Sequence, residues 1–92
     1  MKRVWKFNIG VTTALIIRMP KGAQILTVQN QYGQASLWAL VDPNEAHELR
    51  RIEVYETGEE ITDGMGSNLV YISTVKFGGG DLVYHFFERI GI

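Results

Sequence analysis

Apolar and polar residues alternate along most of this chain with a period of two. Over Val4–Ile9, Trp5, Phe7 and Ile9 share one side, and Val4, Lys6 and Asn8 share the other. Over Ala14–Met19, Leu15, Ile17 and Met19 oppose Ile16 and Arg18. Over Arg50–Thr57, Ile52 and Val54 oppose Arg51, Glu53 and Tyr55. This period is that of a β-strand with one buried face. Further strands are predicted over Ile25–Asn30, Ala35–Val41, Leu69–Phe77 and Leu82–Arg89, runs of β-branched and aromatic residues bounded by Gly, Pro, Asn and Asp. Gln31-Tyr32-Gly33-Gln34 and Gly78-Gly79-Gly80-Asp81 read as hairpin turns. Gly10–Thr13 joins the first two strands, and Gly58–Asn68 is the longest loop. Only Pro43–Leu49 suits a short helical turn, with Asp42 as cap and Pro43 at the first helical position. The prediction is one all-β domain over residues 1–92, built from about seven short antiparallel strands as a β-sandwich or a partly closed barrel.

Three strands break the one-sided pattern. Leu37, Ala39 and Val41 oppose Trp38 and Leu40; Val70 and Ile72 oppose Leu69, Tyr71, Val75 and Phe77; Val83 and Phe87 oppose Leu82, Tyr84 and Phe86. A strand apolar on both faces needs cover on both, and the sequence offers no helix to supply it. The cover left is the long loop, a second subunit or a partner. At roughly 25 cal/mol per Å² of apolar surface, aromatic rings buried this way contribute several kcal/mol to association. The expectation is a homo-oligomer.

Charge changes the picture more than composition does. All five bases of the first 41 residues (Lys2, Arg3, Lys6, Arg18, Lys21) precede the first acid, Asp42, and residues 42–92 then hold ten acids against four bases. The net charge of −1 hides this split and argues against extended nucleic acid as a partner, which selects for a domain-wide basic bias. The simplest expectation is pairing of the basic half with Glu53, Glu56, Glu59 and Glu60. The segment Asp42–Asp63 carries eight carboxylates, read as a solvated surface or as a mimic of a nucleic-acid backbone. No cysteine is present, which excludes disulfides and thiolate zinc sites. The apolar runs are far too short for a membrane helix, and no signal sequence is read at the start, so an intracellular setting without membrane contact is expected.

Candidate chemistry is sparse. Arg18, Lys21, Arg50 and Arg51 are the candidate anion or phosphate ligands, because guanidinium grips phosphate bidentately and lysine meets it as a point charge. Tyr32, Trp38 and Tyr84 are candidates for stacking on a base. His85 can do acid–base work in principle, but no nucleophile or carboxylate partner is identifiable for it, and His47 is read as lying in an exposed loop. No catalytic residue, metal site or cofactor is predicted. Gly64-Met65-Gly66 lacks the third glycine of a dinucleotide fingerprint, and Gly78-Gly79-Gly80 lacks the lysine and hydroxyl of a phosphate loop.

Four segments carry a resemblance: Trp5-Lys6-Phe7, Met19-Pro20-Lys21-Gly22-Ala23, Leu37-Trp38-Ala39-Leu40-Val41-Asp42-Pro43 and Leu82-Val83-Tyr84-His85-Phe86-Phe87-Glu88. Together they resemble a family of short, uncharacterised proteins encoded by tailed bacteriophages and prophages. The likeness spans nearly the whole chain and is most specific at Leu37–Pro43. That family carries a Gly-Thr-Gly-His turn where this chain has Glu56-Thr57-Gly58-Glu59, so no role is assigned to a histidine there. The resemblance implies a phage accessory protein in the host bacterial cytoplasm and supplies no activity, ligand or catalytic residue. The two-faced strands, the split charge and the lack of a catalytic constellation lead to the expectation of a non-catalytic, oligomeric binding protein that blocks or sequesters a host component, in the manner of anti-defence or host-takeover proteins. Two alternatives stay open, a sponge for a small phosphorylated ligand such as a signalling nucleotide, and a small structural component of the virion.

Overall fold

Seven strands form where the alternation places them: β1 (Arg3–Ile9), β2 (Ala14–Pro20), β3 (Gln24–Gln31), β4 (Gln34–Val41), β5 (His47–Glu56), β6 (Leu69–Phe77) and β7 (Leu82–Arg89). The computed structural model of the chain describes residues 1–61 and 68–91. The strands pair antiparallel in two sheets, a three-stranded one in the order β1-β4-β3 and a four-stranded one in the order β2-β5-β7-β6. Apolar residues of both sheets merge into one core, with Leu37, Ala39, Val41 and Val28 on one side and Met19, Ile52, Val54 and Phe86 on the other. The architecture is therefore a β-sandwich, and its sheets do not close into a barrel.

The predicted inward rows hold in β1, β2 and β5. In β6 the alternation misleads. Tyr71 pairs with Phe87 and Ser73 with Phe86, which leaves Ile72 as an extra residue in a β-bulge. The bulge shifts the phase by one, so Val75 and Phe77 face the core with Tyr84 and Phe86, while Tyr71, Thr74 and Lys76 face out. Strict period-two reading had set Val75 and Phe77 on the wrong side of Ile72. β3 carries a matching irregularity at Leu26.

The residues that follow the two bulges stitch the sheets together along one flank. Thr27 Oγ1 and Ser73 Oγ lie 3.0 Å apart, the Val28 amide donates to Ser73 Oγ at 2.9 Å, and Asn30 Nδ2 donates to the Lys76 carbonyl at 3.0 Å. The other flank, bordered by β1 and β2, has no such stitching among the described residues.

The connections follow the predicted chemistry with one exception. Tyr32 and Gly33 have φ of 54° and 85°, the signature of a type I′ hairpin turn, and Asn30 Oδ1 accepts the Gly33 amide at 2.8 Å. Gly10–Thr13 carries the chain from one sheet to the other. The exception is Pro43–Leu49, which forms no helical turn. Asp42 Oδ1 accepts the Asn44 amide and the Asp42 carbonyl accepts that of Glu45, closing a tight turn, and β5 begins at His47. Pairing of Pro20 with His47 and Met19 with Glu48 extends the ladder into the segment a helix would have used. Helix among the described residues is confined to one 3-10 turn at Gly78–Gly80, and no helix is long and apolar enough to cross a membrane. The Gly64-Met65-Gly66 motif lies outside the described residues.

Candidate functional site

The outward face of the four-stranded sheet is unusual for a surface. Its registers place Arg18 beside Leu49, Ile16 beside Arg51 and Arg89, Glu53 beside Phe87 and Tyr71, and Tyr55 beside His85 and Thr74. Ile16, Leu49 and Tyr71 are 60%, 64% and 58% exposed. Phe87 sits between two tyrosines, meeting Tyr55 edge-on with centroids 6.0 Å apart and Tyr71 edge-on at 5.7 Å. Edge-to-face contacts of this kind hold rings in fixed orientations. Three rings thus form a row across β5, β7 and β6.

Beside the row lies a charged cluster that the sheet itself has buried. Arg89 grips both oxygens of Glu53, at 2.8 and 2.7 Å, and both side chains are only 6% exposed. Arg51 Nε donates to the same carboxylate at 2.9 Å, and the Tyr55 hydroxyl donates to it at 2.6 Å. Four donors occupy the roughly four lone-pair positions of one carboxylate. The bidentate Arg89 contact, ahead of the others, holds the Glu53 pKa down to about 2.

A second network runs from Thr57, just after β5, across β7 to β6. Thr57 Oγ1 lies 2.7 Å from His85 Nε2, Thr74 Oγ1 lies 3.0 Å from His85 Nδ1, and the Tyr71 hydroxyl lies 2.8 Å from Thr74 Oγ1. Both imidazole nitrogens are engaged by hydroxyls. The chain of bonds fixes Tyr71 at the end of the aromatic row.

Of the residues proposed from sequence for an anion site, Arg18 and Arg51 stand diagonally on the outward face of neighbouring strands, while Arg50 faces the other side. Arg50 and Arg51 are adjacent on β5 and so face opposite sides of the sheet. Arg50 turns inward at the sandwich end, where Nε and Nη2 both donate to Glu88, the latter at 3.0 Å, while Nη1 reaches the Ala23 carbonyl at 2.8 Å and Glu48 at 3.4 Å. The Glu88 hydrogen bond is the main cause of its raised pKa. Glu48 also accepts the Gly22 amide at 3.0 Å, so Arg50 ties the β2–β3 connection to β5 and β7. A cleft of about 400 Å³ opens here, lined by these paired charges. Arg51 is held by Glu53. Arg18 and Lys21 are exposed, with no ion pair among the described residues, and stand on β2 and the turn after it.

The stacking candidates are scattered. Tyr32 is 99% exposed at the tip of its hairpin. Trp38 lies half-buried on the outward face of the three-stranded sheet, and Tyr84 packs against the core with its ring 5.8 Å from that of Phe77. Sequence reading set Arg51, Glu53 and Tyr55 on one outward face. It missed Arg89 and Tyr71 as their neighbours, because strand order and the Ile72 bulge decide that adjacency.

Nor do the two charged halves pair with each other. Every ion pair among the described residues joins Arg50, Arg51 or Arg89 to Glu48, Glu53 or Glu88, all from the second half of the chain. The expected pairing of the basic half with Glu53, Glu56, Glu59 and Glu60 is absent among the described residues. The early bases stay exposed on β1, on β2 and at their ends.

Among the described residues no group of three His, Cys, Asp or Glu side chains is placed to hold a metal ion. No curated protein and no solved structure matches the chain. A family model does match, over residues 1–91, and the chain belongs to that family, described as Domain of unknown function (DUF7352).

Proposed function

We propose that the protein is a non-catalytic, phage-encoded binding module that docks through the outward face of its four-stranded sheet onto a protein of the bacterial host and blocks it. The carrying observation is the row Tyr55–Phe87–Tyr71, flanked by exposed Ile16 and Leu49, on a face whose buried charges already satisfy one another. Tyrosine, phenylalanine and arginine are enriched where proteins meet, and a few rigid aromatic anchors carry most of the binding energy. Because Glu53, Arg89 and Arg51 are paired before any partner arrives, docking removes no unpaired charge of theirs from water. A small phosphorylated ligand is less well supported, since two of its four proposed cations are already bound to carboxylates.

The test compares the wild-type chain with an Ile16→Asp/Tyr71→Asp variant. Each is tagged, expressed in a bacterial host and recovered, and the captured protein is then purified and recombined with it for native mass spectrometry. A heteromeric complex formed by the wild type and lost in the folded variant supports the proposal. A complex that ignores the variant overturns it. A homodimer alone, lost in the variant, assigns the face to a second copy and overturns the host reading.

A further inference from the structure

The free edge of β1 has its own chemistry, on the opposite sheet from the aromatic face. β1 pairs with β4 on one side only, and its other backbone edge is unpaired among the described residues. On its outward side Lys6 stands exposed at the centre between Val4 and Asn8, with Lys2 just before the strand. Neither lysine has an ion pair among the described residues, and no acid occurs in the first 41 residues. On its inward side Trp5 and Phe7 are only half-buried, their rings 6.4 Å apart, where the β3–β6 flank is stitched and this one is not.

We infer that β1 accepts an extended segment of another protein as an added strand, and that this segment alternates apolar with acidic residues. The free amides and carbonyls of an edge strand supply the main-chain hydrogen bonds of such an addition, and alternate side chains supply specificity. Apolar side chains on the inward side of the added strand complete the cover over Trp5 and Phe7. Acids on its outward side stand opposite Lys6, where cross-strand side chains come within about 5 Å. The same lysine disfavours a second copy, because antiparallel pairing of β1 with itself centred on Lys6 sets the two Lys6 side chains opposite each other. Basic residues on an exposed edge guard against self-pairing in this way. An acidic strand turns that repulsion into attraction.

The probe is a capped seven-residue peptide, the length of β1, alternating Glu with Val and titrated into the full chain while amide resonances are followed by NMR. The inference expects shifts concentrated in β1, loss of binding when, of the two adjacent central peptide amides N-methylated in turn, the one that faces β1 is blocked, and affinity about five- to tenfold weaker in Lys6→Glu. It also expects no binding by a Lys/Val peptide. Absence of binding by the Glu/Val peptide overturns the inference, as does indifference to N-methylation or to Lys6→Glu, or a shift pattern centred on β2 or on Tyr71. Self-association through β1 without peptide overturns it too, since the occupant is then a second copy. Ile16 and Tyr71 lie on the other sheet, so failure of the proposed host-docking face leaves this test intact.

Discussion

Arg89 holds Glu53 by two parallel hydrogen bonds, 2.8 and 2.7 Å long, on the sheet face that points away from the core. A buried ion pair on an outward face is a liability unless both members stay. Mutual attraction offsets the loss of hydration, and removing one member leaves the other charged and dry. The pair also sets the floor on which Tyr55 and Phe87 rest, which links the stability of the sheet to the shape of the proposed docking face.

Replacing Arg89 with Ala is expected to destabilise the fold by about 3–5 kcal/mol. Replacing the pair together, as Glu53→Leu/Arg89→Met, is expected to recover most of that loss. Urea unfolding of the two variants beside the wild type checks both expectations, and a double variant no better than Arg89→Ala contradicts the account of the pair.

Acid sensitivity follows from the same carboxylate. Glu53 stays ionised in the fold down to about pH 2, whereas its ordinary value is 4.5. A carboxyl whose folded pKa is depressed adds stability above its unfolded pKa and loses it as pH falls through the folded one. The contribution, roughly 3 kcal/mol, is therefore full above about pH 5 and fades toward pH 2. Unfolding free energy measured from about pH 6 to about pH 2.5 should fall less steeply in Glu53→Gln than in the wild type.

Phe86 is wholly buried in the centre of the four-stranded sheet, packed among core residues of both layers. Its replacement by Ala should cost about 3–5 kcal/mol, combining lost transfer energy with the cavity left behind. Phe86→Leu, measured by the same unfolding curve, should cost distinctly less.

The hairpin between β3 and β4 makes a turn of Tyr32 and Gly33, both at positive φ. An L side chain at that backbone geometry costs roughly 1–2 kcal/mol, least for Asn and Asp. Gly33→Ala should lower stability by about that amount, and Tyr32→Asn, which creates the preferred Asn-Gly pair, should raise it. Thermal melts of the two variants should move in opposite directions.

Most of the fold was legible in the residue pattern for a physical reason. In a strand the side-chain period is two, so Trp5, Phe7 and Ile9, or Leu15, Ile17 and Met19, announce their buried row without reference to any distant residue. Tyr32-Gly33 and Gly78–Gly80 announced their turns through backbone preferences that are equally local. The local signal failed where a distant partner intervened. Asp42 and Pro43 suit a helix start, but pairing with β2 drew His47–Leu49 into β5. Ile72 looks like any other strand residue, yet its bulge opposite β7 reversed the faces of Val75 and Phe77.

By itself the sequence determined the strands, the inward rows of β1, β2 and β5 and the segregation of charge along the chain, because each is a property of neighbours in sequence. Which side chains would meet was decided by tertiary structure alone. Arg50 and Arg51, adjacent in sequence and alike in charge, were separated onto two faces by the pleat, one to Glu88 and one to Glu53. Arg89, Tyr55 and Tyr71 were gathered onto one face by the order β5-β7-β6, a pairing between strands that no local period encodes.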